Sequence, residues 1–203
     1  MNRLNGMICY LAGPMDRIEG GGVEWRRKVT PRLHDMGLGV LDPTNKPLLQ
    51  HQENDATRKQ VAIWKENGEF DKVRDHYKPI VGVDLRFVDQ SSFILLHINT
   101  DEHMCGSYDE AFMAALQRKP VVVMCDQGKK NVPNWMFGRV PHEMFFGSWD
   151  EVFEYLRHVD EDEDVDHMRR WTFMDYGKIY GNPDFNKKIP FHLINMKDEE
   201  IGY

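Results

Sequence analysis

The stretch Gly106-Ser107-Tyr108-Asp109-Glu110 opens a helical pattern soon after the most apolar run of the chain. A carboxylate placed there can be held ionised by the amino end of the helix and can attack an electron-poor carbon. The same residues have a plainer use, because Ser107-x-x-Glu110 also reads as a capping box. Tyr10 belongs to a second run, Ile8-Cys9-Tyr10-Leu11-Ala12-Gly13-Pro14, which leads into a glycine cluster, Gly20-Gly21-Gly22. Glycine-rich turns between a strand and a helix can cradle phosphate or sugar oxygens with backbone N–H groups. This one has neither GxGxxG nor GxxxxGK[ST], so dinucleotide and Walker-type binding are not supported. A tyrosine in an apolar strand is also ordinary core. Asp84, between Val83 and Leu85, is placed either to cap a short helix or to act as a general acid toward a leaving group.

Other chemistries find less support. Nine histidines form no HExxH or paired-ligand spacing, so no metal is expected, and no motif calls for a cofactor. There is no GxSxG elbow. Cys105, flanked by His103, is a lesser candidate for a nucleophile. The net charge of −7 argues against a nucleic-acid polymer as ligand, since neutralising many phosphates takes a basic face. A single nucleotide needs only a few donors and stays open.

The elements that must position these residues follow from the apolar pattern. Of the 203 residues, 41% are hydrophobic and 29% charged, which suits a globular chain with one main domain and an appendage. Strands are expected over residues 7–12, 38–41, 92–98, 120–125 and 143–146. Helices are expected over 23–36, 57–75, 83–90, 107–117 and 148–158, with Pro31 kinking or shortening the first. Residues 44–56 and 131–139 read as irregular. The strands are continuous apolar runs alternating with helices, the mark of a parallel sheet covered on both faces. Such α/β sheets place ligands at the carboxyl ends of their strands, which directs attention to the loops after Ala12, Leu41, Ile98 and Cys125. The domain is expected to span 1–159. Residues 160–203 begin with an acidic linker and continue as an aromatic-rich extension, packing on the core or on a neighbouring subunit. Cys9, Cys105 and Cys125 form no CxxC framework, which suggests a reducing compartment. No apolar run approaches the roughly 20 residues that span a bilayer, and the N-terminus lacks a convincing signal peptide, so a cytoplasmic location is expected.

Three stretches, in order, resemble the nucleoside 2-deoxyribosyltransferase family: Tyr10–Pro14; Asp84 ahead of an apolar strand; and Gly106–Glu110, whose helix ends in Lys119-Pro120 and a strand. The match covers roughly residues 7–158. The resemblance implies a flavodoxin-like or Rossmann-like sheet of about five strands. It implies a two-step reaction in which Glu110 attacks C1′ of a deoxyribose, Asp84 protonates or steadies the departing base, and a second base or water then attacks the glycosyl-enzyme. Tyr10 would hydrogen-bond Glu110 and aim it. Gly13, Pro14, Gly106, Ser107 and Asp101 would bind substrate. By their place in the loop after Cys125, Asn134 and Met136 resemble residues that family members lend to the site across a subunit boundary. Substrates would be a deoxynucleoside or deoxynucleotide and a free nucleobase, and the protein would be a homo-oligomer.

One position departs from the family. Its transferases usually hold an aspartate six residues before the nucleophile, to grip the sugar 5′-hydroxyl, and related 5′-monophosphate hydrolases tend to have serine. Here the residue is Met104, with Asp101 and Glu102 nearby. Arg26, Arg27 or the Gly20–Gly22 loop could instead receive a 5′-phosphate. Four readings therefore stand: base exchange between deoxynucleosides, hydrolysis of a deoxynucleoside 5′-monophosphate, a nucleotide-binding module without turnover, and a scaffold working through its aromatic tail.

Overall fold

The computed structural model describes residues 2–15, 18–46, 54–161 and 171. Contacts divide the chain into two units, residues 1–165 and 166–203. The elements below belong to the first, and the aromatic extension lies outside the described residues, Trp171 excepted.

Five strands form one sheet in the order β2-β1-β3-β4-β5. They are β1 (Ile8–Ala12), β2 (Gly39–Leu41), β3 (Phe93–Ile98), β4 (Val121–Cys125) and β5 (Phe145–Phe146). Every pairing is parallel. All residues of β3 and β4 are buried, as are all of β1 but Ile8. Burial on both faces explains why these strands are continuous apolar runs. The order 2-1-3-4-5 is that of the flavodoxin-like fold, which the resemblance implied. It puts a topological switch point between β1 and β3, where chain direction around the sheet reverses and a crevice opens at the carboxyl ends.

Among the described residues there are six α-helices: α1 (Val23–Asp35), α2 (Asp55–Glu66), α3 (Phe70–Gln90), α4 (Cys105–Leu116), the single turn α5 (Asn134–Phe137) and α6 (Trp149–Glu161). Alternation along the strands sorts them. Tyr10 pairs with Ile94 in register and its ring meets Phe87 of α3 at 6.0 Å, so α3 lies on that face, and α4 packs beside it. His97, three residues beyond Ile94, points the other way. It meets Trp25 of α1 and Trp149 of α6, whose rings stack at 5.2 Å.

Several boundaries differ from expectation. The segments 57–75 and 83–90 are redrawn as α2 and a 21-residue α3 that runs through Pro79 and Gly82. Its buried stripe, Ile80, Asp84 and Val88 at four-residue spacing, fixes one face on the core and overrides the local breakers. Asp84 is therefore inside a helix and caps nothing. α1 likewise continues through Pro31 rather than ending there. α4 starts at Cys105, two residues early, with no side-chain cap, so Ser107 and Glu110 form no capping box. The loop over 131–139 contains α5. α6 runs to Glu161, and the Asp160 carboxylate accepts the Leu4 N–H at 2.7 Å, so the acidic run begins inside the domain.

Arg26, a candidate to receive a 5′-phosphate, is fully buried beneath the end of β1. Its guanidinium donates to the carbonyls of Leu11 (3.3 Å), Gly13 (3.0 Å) and Gly22 (3.0 Å), and it lies 3.6 Å from the Asp42 carboxylate. Those bonds join the end of β1 to the glycine turn. Gly22 completes the junction at φ +71, where a Cβ would meet the Pro14 carbonyl oxygen at 2.3 Å. Replacing Arg26 by Met leaves the carbonyls of Leu11, Gly13 and Gly22 without their donor and Asp42 without its cation. It should cost about 3 kcal/mol in urea unfolding, and a loss below about 1 kcal/mol would show the carbonyls find other partners.

Candidate active site

A cavity of about 480 Å³ opens on the α3–α4 face at the switch point, within the size range of small-molecule sites. α3 contributes Tyr77, Ile80, Val81, Asp84 and Leu85. The start of α4 and the residues before it contribute His103, Met104, Cys105, Gly106, Ser107, Asp109 and Glu110. Gly13 and Met15 close it beyond β1, and Pro43 beyond β2. The lining is mostly apolar and includes three carboxyls, Asp84, Asp109 and Glu110.

Glu110 stands in the second turn of α4, and its Oε1 accepts a hydrogen bond from the Tyr10 hydroxyl at 2.8 Å. Tyr10 is fully buried, and burial next to Glu110 and Asp84 pushes its own pKa well up, so it remains a phenol and a donor. Among the described residues nothing bonds Glu110 Oε2. Burial raises the Glu110 pKa from its ordinary value to about 8, with the Asp84 charge adding to the rise. The Tyr10 hydrogen bond, Arg26 and Lys46 pull in the opposite direction. The expected stabilisation of an ionised carboxylate by the helix end is overturned. That field fades beyond the first turn, and desolvation outweighs it.

Asp84 is 9% exposed. Its Oδ2 accepts from Lys46 Nζ at 2.9 Å, while its Oδ1 is buried without a hydrogen-bond partner among the described residues. Burial raises its pKa, and Lys46 and then Arg26 offset the rise. Lys46, itself 3% exposed, lies in a stretch that reads as polar and irregular, and its one sequence signal is its place in the loop after Leu41, one of the four loops at carboxyl strand ends.

The structure thus brings together Tyr10, Asp84, Glu110, Gly13, Gly106 and Ser107. The N–H groups of the first turn of α4, at Cys105, Gly106 and Ser107, have no acceptor within the helix and border the cavity. Four other expected residues do not line it. Pro14 borders a separate cavity with Trp25 and His97. Asp101 is exposed and accepts from the Gln127 amide. Asn134 is exposed on α5, whereas Met136 is fully buried in the core of its own chain. Met104 does line the cavity, and its side chain brings no charge or N–H/O–H donor to that wall. Among the described residues no cluster could hold a metal ion, and no helix is long and apolar enough to cross a membrane.

The raised Glu110 pKa couples the site to stability. A carboxyl that binds its proton more tightly when folded stabilises the fold fully below its ordinary value, near 4.5. That contribution is lost as pH rises through about 8. Glu110→Gln keeps a neutral side chain throughout. Its urea midpoint should gain on the parent protein between about pH 5 and about pH 9, and a constant difference would mean Glu110 is not the group that titrates.

No protein-family model matches the chain, and no curated protein matches it. Solved structures do. The 2-deoxyribosyltransferase from Bacillus psychrosaccharolyticus superposes with a TM-score of 0.51 at 18% identity, over 73% of this chain and 91% of that one. The 2-desoxiribosyltransferase from Leishmania mexicana superposes with a TM-score of 0.44 at 14% identity, over 76% and 98%. The first of these likenesses establishes that the chain shares the fold of the Bacillus enzyme.

Proposed function

We infer that this protein cleaves the N-glycosidic bond of a deoxynucleoside and passes the deoxyribosyl group to a second base. The observation that carries this reading is one cavity holding a tyrosine-oriented carboxyl, Glu110, and a second carboxyl, Asp84, on the facing helix. The shared fold and the residue-level resemblance at Tyr10–Pro14, Asp84 and Gly106–Glu110 support it.

The chemistry balances with one proton on the pair. Glu110 Oε2 attacks C1′, the bond from C1′ to the base nitrogen breaks, and the pair's proton passes through Asp84 to the base, which leaves neutral. Asp84 then takes a proton back from the incoming base, or from water, as that acceptor attacks the glycosyl ester. Two groups exchanging one proton give a bell-shaped dependence of kcat/KM on pH. Above about 8 the pair has lost its proton and no acid is left. At low pH both carboxyls are protonated and no nucleophile is left. The proposed assembly is a homo-oligomer in which Asn134 reaches a neighbouring copy's cavity, and turnover by a sedimenting monomer would remove it from the site.

The test is chromatography of the protein with a deoxynucleoside, with and without a second free base, beside a deoxynucleoside 5′-monophosphate. A new deoxynucleoside appearing only with the second base is expected. Free base from the monophosphate without exchange would make the protein a hydrolase of the nucleotide, and no product in any arm would leave a binding module. Glu110→Gln should fold and lose at least about 10³-fold in kcat. Asp84→Asn should lose about 10²–10⁴-fold, most for the poorest leaving bases. Equal loss across bases would remove Asp84 from proton transfer.

A further inference from the structure

The loop after β2 carries a buried lysine that the motif resemblance does not account for. Lys46 Nζ sits behind the cavity lining, 2.9 Å from the Oδ2 of Asp84, which lines it. A buried cation needs a partner in good geometry, since the loss of hydration of each ion costs several kcal/mol. The contact has a geometric consequence. It fixes one oxygen of Asp84 and leaves Oδ1, unpartnered among the described residues, as the oxygen available to a ligand.

We propose that Lys46 is a positioning residue for the reaction inferred above: it anchors Asp84 through Oδ2, presents Oδ1 to the departing base, and keeps Asp84 ionised so that the pair's single proton resides on Glu110. The charged and titratable groups around Asp84 favour that distribution. Burial raises the Asp84 pKa, and Lys46 from the β2 loop and Arg26 from α1 each partly offset that rise. Glu110 on α4 feels the Asp84 charge, as does the Tyr10 phenol on β1. His103, Cys105 and Asp109 border the same cavity. The first carboxyl to ionise is then the one with the ammonium at hydrogen-bond distance. No outside acid is needed, because the proton that leaves with the base is already on the pair.

This proposal rests on the reading of the site as a glycosyl-transfer centre, but its test does not need turnover. Carboxyl carbons of Asp84 and Glu110 are followed by ¹³C NMR against pH in the substrate-free protein and in Lys46→Met and Lys46→Arg. Asp84 should titrate about one pH unit or more higher in Lys46→Met and return toward the parent value in Lys46→Arg. The acidic limb of kcat/KM should move up with it, narrowing the bell, while KM changes little. An Asp84 titration unmoved in a folded Lys46→Met protein would overturn the proposal. So would an Asp84 that holds its proton at neutral pH in the parent protein. If Lys46→Met does not fold, the double variant Lys46→Met/Asp84→Asn removes both charges together and should fold. A double variant no better than the single one would overturn the pairing. Failure to find any glycosyl transfer would sink the functional reading and leave the carboxyl titrations to judge Lys46 separately.

Discussion

Negative charge has to be kept at a dry place. Two carboxyls, Asp84 and Glu110, share a largely apolar cavity at the edge of a sheet whose strands are almost wholly buried. Partial burial withholds much of the water that would solvate them, which favours meeting charge with charge or removing it by a proton. Beside the buried pair stand two cations, Arg26 at 3.6 Å from Asp42 and Lys46 at 2.9 Å from Asp84, while Asp109, which also lines the cavity, is exposed to solvent. With Asp42 and Asp84 ionised, the cations are already matched. Ionising Glu110 as well would leave one uncompensated negative charge in a low-dielectric pocket. Burial and that balance together raise the Glu110 pKa to about 8. The same balance is why Arg26 is buried at all: its guanidinium ties off the carbonyls that end β1 while its charge serves the neighbouring site.

The topology decides which elements meet this constraint. At the β1–β3 switch point, the loop after β1 and the loop after β3 leave in opposite directions around the sheet. Tyr10, near the end of β1, can therefore reach across to Glu110, one hundred residues away, without a helix between them. The long α3 brings Asp84 in from the same face, and the loop after β2 brings Lys46 over the top of β1. Each group comes from a different segment. The site exists only in the folded sheet, although each side chain is locally unremarkable.

This division explains what could be read beforehand. The buried strands are legible because burial on both faces demands unbroken apolar runs, and three of the four loops they point to contribute to the cavity. Tyr10, Asp84 and Glu110 are legible through their order along the chain. The helical context of Asp84 is not, because Pro79 and Gly82 break the local pattern, whereas the stripe Ile80–Asp84–Val88 acts through tertiary burial. Arg26 reads as surface charge beside Arg27, and nothing local reveals that one of the pair points inward. Lys46 is invisible for the same reason. Its partner lies thirty-eight residues away, and a lone lysine in a polar loop carries no period. The capping box at Ser107 and Glu110 matches in spacing yet fails in space. The helix starts earlier than that motif requires, and Glu110 is engaged by Tyr10.

The choice between acceptors in the proposed reaction follows from the same cavity. By microscopic reversibility, the carboxyl that gives a proton to the leaving base must take one from whatever attacks next. Proton transfer therefore does not by itself distinguish a second base from water. The difference must come from occupancy. Met15, Ile80, Leu85 and Met104 offer apolar surface that a flat heterocycle buries and a water molecule does not. A base held there also excludes the water that would compete with it. Met104 belongs to this apolar wall, and in the proposed reaction its side chain adds to the surface that favours a base over water.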